Sequence, residues 1–126
     1  MVAVVIVAIV AAVALPAYTS YVTRARLSDA YDGLTNYRLR MEQAYQDTGN
    51  FGGAGCAVAV PAATRYFAFS CTLANGGMTF VATASSTAAM PGYAFTVNDD
   101  GTQATTAFPG ATALPAQCWL SRNGDC

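Results

Sequence analysis

The chain opens on an unbroken apolar run, MVAVVIVAIVAAVALPA, with no charged or polar side chain before Tyr18. At about 1.5 Å of helical rise per residue the run reaches roughly 26 Å, a little short of the ~30 Å hydrocarbon core of a bilayer. Beyond Tyr18 a helical period takes over. Leu27, Ala30, Tyr31, Leu34, Tyr37, Met41, Ala44 and Tyr45 form one apolar stripe, while Arg24, Asp29, Asp32, Arg40 and Asp47 occupy other faces. Thr48, Gly49 and Asn50 supply stop signals, with Gly49 suited to the left-handed position after a helix end. The spacing predicts one helix from Met1 to about Asp47, on the order of 70 Å long. Its first half is apolar all round and its second half amphipathic. Pro16 removes a backbone hydrogen bond and is expected to kink or loosen the rod, and Gly33 is a second weak point.

After a Gly- and Ala-rich connection over residues 49–65, strand alternation begins. Phe67, Phe69, Cys71 and Leu73 share one face against Tyr66, Ala68, Ser70 and Thr72. Asn75-Gly76-Gly77 marks a tight turn, after which Met78, Phe80, Ala82 and Ala84 repeat the pattern. Tyr93, Phe95 and Val97 form the inner face of a third strand. Asn98-Asp99-Asp100-Gly101 is the strongest hairpin signal and leads to a fourth strand over residues 103–108. Pro109 and Pro115 bracket a final loop before CWLSRNGDC. One long helix followed by a four-stranded antiparallel sheet is an α+β arrangement, its core lying between the helix stripe and the inner faces of the strands.

Composition narrows the function. The formal net charge is −1 with only 10 % charged residues, which gives no electrostatic reason to expect nucleic acid or an acidic lipid surface as the main partner. Histidine is absent and Glu42 is the sole glutamate, so the commonest general base and metal ligand are missing. We expect no enzyme, no metal site and no cofactor. Four cysteines in a chain this short point to two disulfides in an oxidising compartment, with three possible pairings that the sequence alone does not resolve. A cleavable secretory signal would open on positive charge and carry a shorter apolar region. Here Arg24 and Arg26 follow the run instead.

The segment MVAVVIVAIVAAVALPAYTSYVTRARLSDA resembles the N-terminal segment of type IV pilins, in which an apolar run leads into a proline followed by A-Y. GYAFTVNDDGTQATTAFP and CWLSRNGDC resemble, more loosely, small four-cysteine pilins that include minor pilins and a competence subfamily. The family's mature start is a methylated Phe followed within a few residues by a Glu, after a short basic leader. None of these stands in this sequence, and the resemblance implies that it begins about half a dozen residues into the mature protein.

The resemblance implies the pilin fold and a structural role without catalysis. Residues 1–23 would be membrane anchor and filament core, and residues 24–126 the globular head. The head would comprise the amphipathic helix half to about residue 48, the loop 49–65, and the sheet with a C-terminal disulfide loop over residues 66–126. The subunit would rest in the inner membrane, then enter an extracellular pilus as the repeating or a minor subunit, for adhesion, twitching motility or DNA uptake. Its partners would be copies of itself, other pilins and the inner-membrane assembly machinery. Val2, Val5, Ile6, Ile9, Val10, Val13, Leu15 and Pro16 would pack in the filament core, while Ala3, Ala8, Ala11, Ala12 and Ala14 permit close helix approach. The expected disulfides are Cys56–Cys71, tying loop to first strand, and Cys118–Cys126, closing the C-terminal loop. Trp119 and Arg122 are candidate DNA contacts for a DNA-uptake minor pilin. The same N-terminal half would also suit a type II secretion pseudopilin, or a plain membrane anchor carrying a periplasmic domain.

Overall fold

A computed structural model describes residues 1–121 and 126, apart from the side chains of Pro16, Ala17 and Ser20. The helix α1 spans Val2–Thr48. It ends where Gly49 takes φ 82° and donates its N–H to the Tyr45 carbonyl at 2.7 Å, a left-handed stop that costs a glycine little. Pro16, where the sequence predicts a kink, has helical backbone, and its side chain lies outside the described residues.

Four strands follow: β1 (Phe67–Ala74), β2 (Thr79–Ser86), β3 (Ala94–Asn98) and β4 (Gln103–Ala107). They form one antiparallel sheet in the order β1-β2-β3-β4. Register runs from Phe67↔Ser86 to Ala74↔Thr79 in the first pair and from Val81↔Asn98 to Ser85↔Ala94 in the second. An irregularity between Ala94 and Phe95 shifts the third. The β3–β4 turn closes with the Gly101 N–H on the Asn98 carbonyl at 3.1 Å.

The core sits where the periodicities intersect. Leu27, Ala30, Leu34, Tyr37 and Met41 of α1 are buried against Phe67, Phe80, Ala82, Ala84, Phe95 and Val97 of the strands. Tyr37 meets Phe80 edge-on at 6.3 Å, and Phe51, just past the helix end, meets the same ring at 4.8 Å. This stacking fixes the sheet's direction. The turns at Asn75–Gly77 and residues 98–101 lie beside the C-terminal part of α1, where Phe51 N–H bonds the Gly77 carbonyl and Arg38 reaches the Asp99 carbonyl. The opposite end of the sheet faces the apolar half of the helix.

Two residues depart from expectation. Met78, expected on the inner face, is 49 % exposed, because the chain is still in the turn there and β2 begins at Thr79. Gly33 is a point of close approach, not a weak point. A β-carbon on it would come within 2.5 Å of the Phe69 ring, so its bare backbone makes room for that ring to cover the helix.

Candidate functional site

Below the head, α1 presents a surface that nothing in the chain covers. Val2, Val4, Val5, Ile6, Val7, Ile9, Val10, Val13 and Leu15 are 56 to 75 % exposed. All the described candidates for filament packing belong to this surface, whereas the Pro16 side chain lies outside the described residues. The surface is apolar on every side, so no single neighbouring face could bury it. It must be enclosed by lipid or by several helices. Among the described residues, no helix is long and apolar enough to cross a membrane. One turn on, the Thr19 hydroxyl donates to the Leu15 carbonyl, and the Thr23 hydroxyl to the Thr19 carbonyl, each at 3.0 Å. These bonds satisfy hydroxyls at the border of the apolar half without extending them into it.

At the head's end nearest this helix half, two arginines converge on one ring. The guanidinium of Arg26 lies 4.7 Å from the Tyr66 ring centroid and that of Arg65 lies 5.7 Å away. Tyr66 is held in place from behind. Its carbonyl accepts the Thr87 N–H at 2.8 Å, and the Arg65 carbonyl accepts the Thr87 hydroxyl. Among the described residues the ion pair is Arg38–Glu42, at 2.8 Å, so neither Arg26 nor Arg65 has a carboxylate partner there. Sequence reading missed this cluster because Arg26 and Arg65 are far apart in the chain.

The C-terminal segment is stitched to the sheet through Thr105. Its backbone pairs with Ala116 in both directions, at 2.9 and 3.0 Å. Its hydroxyl donates to the Cys118 carbonyl at 2.6 Å and accepts from the Leu120 N–H at 2.9 Å. Disulfides join Cys56 to Cys71 and Cys118 to Cys126. Trp119 lies flat on Tyr31 with centroids 5.3 Å apart, and its indole N–H donates to the Thr96 carbonyl at 2.8 Å. One face of its ring is therefore already occupied. Arg122, the other candidate DNA contact, lies outside the described residues. Tyr31 donates its hydroxyl to the Leu120 carbonyl at 2.6 Å. Burial, with Tyr93 nearby, pushes its pKa up from 10.0 to about 12.

Comparison with known proteins joins this geometry to a family. Residues 16–107, well over half of the chain, match the family described as type IV minor pilin ComP, DNA uptake sequence receptor. No curated protein matches. Among solved structures, a type IV pilin from Shewanella oneidensis superposes with a TM-score of 0.56 at 21 % identity, over 78 % of this chain and 98 % of that one. The non-core minor pilin PilV of Neisseria meningitidis does so with a TM-score of 0.56 at 23 % identity, over 77 % and 97 %. These two likenesses concern the fold: a long helix on a four-stranded antiparallel sheet. With its pilin fold and a family match running from the end of the apolar helix through β4, this chain belongs to the ComP family of type IV minor pilins and is a pilus subunit.

Proposed function

We propose that this minor pilin is held in the inner membrane by residues 1–23 and is then drawn into an extracellular type IV pilus. There the apolar half of α1 packs among the helices of other pilins and of its own copies, and the head faces outward. The observation that supports this reading is the uncovered, all-round apolar surface from Val2 to Leu15. Burying on the order of ten aliphatic side chains, at roughly 1.5–3 kcal/mol each, outweighs the entropy lost on association. Lipid and helix bundle are both apolar, so exchange between them is close to neutral in hydrophobic energy, and the alanines of the run permit tight helix contact. Drawing the subunit out of the membrane therefore falls to the assembly machinery. The test is a charge in the middle of the run. Ile9→Arg is expected to leave the head's thermal unfolding unchanged and to remove the subunit from sheared filaments. Incorporation at the wild-type level would overturn the reading.

DNA reception is a second reading, favoured by the family description, which calls ComP a DNA uptake sequence receptor. It predicts binding of the full chain to duplex DNA that weakens steeply as salt rises, because phosphate contacts release counterions. Replacing Arg122 with Gln should lower affinity across all sequences if that side chain meets phosphate. Binding indifferent to salt would count against DNA reception.

A further inference from the structure

Among the described residues, the charged side chains of the head are spread unevenly along the helix axis. The head's far end carries Glu42, Asp47, Asp99 and Asp100 alongside Arg38 and Arg40. The end nearest the apolar half carries Arg24, Arg26 and Arg65, with the exposed Asp29 and Asp32 further along α1. From Ala17, the last residue of the apolar run, Arg24 and Arg26 lie roughly 10 and 13 Å along the axis. Helical side chains lean toward the N-terminus, the direction in which the apolar half lies. Tyr18 and Tyr21, each 66 % exposed, occupy the interval, where amphipathic rings favour a membrane–water interface. The fold then brings Arg65 in from the loop to the same level and seats it with Arg26 on Tyr66. Two guanidiniums with no carboxylate partner among the described residues are thus held together just beyond that interval, where the reach of a long side chain back toward the apolar half meets the headgroup zone, about 5–7 Å deep beyond the hydrocarbon.

We infer that the Arg26–Tyr66–Arg65 cluster binds the phosphate of anionic phospholipids and seats the head on the membrane before the subunit is drawn into the pilus. This rests on the membrane stage proposed above. Its position favours lipid over DNA, because the cluster lies at the end of the head nearest the apolar half, away from the turns at the head's far end. Each arginine near an anionic surface strengthens binding roughly fivefold.

The test uses the full chain and vesicle flotation, with phosphatidylcholine vesicles compared with phosphatidylcholine–phosphatidylglycerol vesicles. Wild type is expected to prefer the anionic vesicles. The double variant Arg26→Gln/Arg65→Gln should lose most of that preference, roughly fivefold per arginine, while binding phosphatidylcholine as before. Arg40→Gln, at the other end, should keep it. A double variant that retains the preference, or an Arg40→Gln variant that loses as much, overturns the assignment and leaves the membrane stage standing. Failure of wild type to bind phosphatidylcholine vesicles overturns the membrane stage itself. Short duplex DNA is measured in parallel. If the double variant weakens DNA binding but not the lipid preference, the cluster is a nucleic-acid contact and the lipid assignment is wrong.

Discussion

Thr105 shows how much a single polar side chain can organise. It is fully buried, and its hydroxyl bridges the buried Leu120 N–H and the half-buried Cys118 carbonyl of the C-terminal segment. Thr105→Val keeps the shape and strands both groups, so we expect a loss of about 2–4 kcal/mol in denaturant unfolding, with Thr105→Ser losing far less. Tyr31 makes a second prediction. Its folded pKa lies above its unfolded value, so its contribution is complete below pH 10 and is lost as pH rises toward about 12. Burial raises Tyr37 in the same sense. Unfolding midpoints should therefore fall across that window, and Tyr31→Phe should flatten the fall, at the cost of the bond to the Leu120 carbonyl. The opposite sign applies to Asp100. Hydrogen bonds from Thr102, with Arg38 nearby, hold its carboxyl below 3.8, so its contribution is present above that value and fades as pH drops below it. The roles of Thr105 and Tyr31 were not legible in the sequence, because each depends on a partner distant in the chain and on burial itself, whereas the Asp100–Thr102 contact is local to the β3–β4 turn.

At the scale of elements, period and punctuation carried most of the fold. The stripe from Leu27 to Met41 and the alternation from Phe67 to Ala84 repeat often enough that only one face of each could be buried. Gly49 and Gly101 mark ends that favour glycine. Met78 defeated the same reasoning because alternation extrapolates through a turn as readily as along a strand. Gly33 defeated it because helix propensity is a property of the element alone, while the close approach of Phe69 belongs to the pair of elements. Gly33→Ala should thus lower the melting temperature despite alanine's better helix propensity of about 1 kcal/mol. Combined with Phe69→Leu it should cost less than the two single losses together, since the smaller side chain relieves the clash. A gain in stability from Gly33→Ala alone would show that the ring moves aside freely.

The whole molecule divides into a head that can satisfy itself and a helix half that cannot. The head has a thin core, and Cys56–Cys71 ties its loop to the edge strand across a separation of 15 residues. Replacing both cysteines with serine should cost about 3 kcal/mol, read from denaturant midpoints in non-reducing buffer. The helix half was the plainest feature of the sequence, and its side chains are exposed in the folded chain. What the sequence did not show was the gathering of Arg26 and Arg65 on Tyr66, since their proximity arises only when α1 lies along the sheet. The central claim is that this subunit enters a filament through that half. Quantitative mass spectrometry of filaments sheared from the native cells tests it most directly. As a minor pilin the chain should appear reproducibly as a small fraction beside a more abundant pilin. Its absence from filaments that plainly contain another pilin, while it is abundant in the cell membrane, would contradict the account.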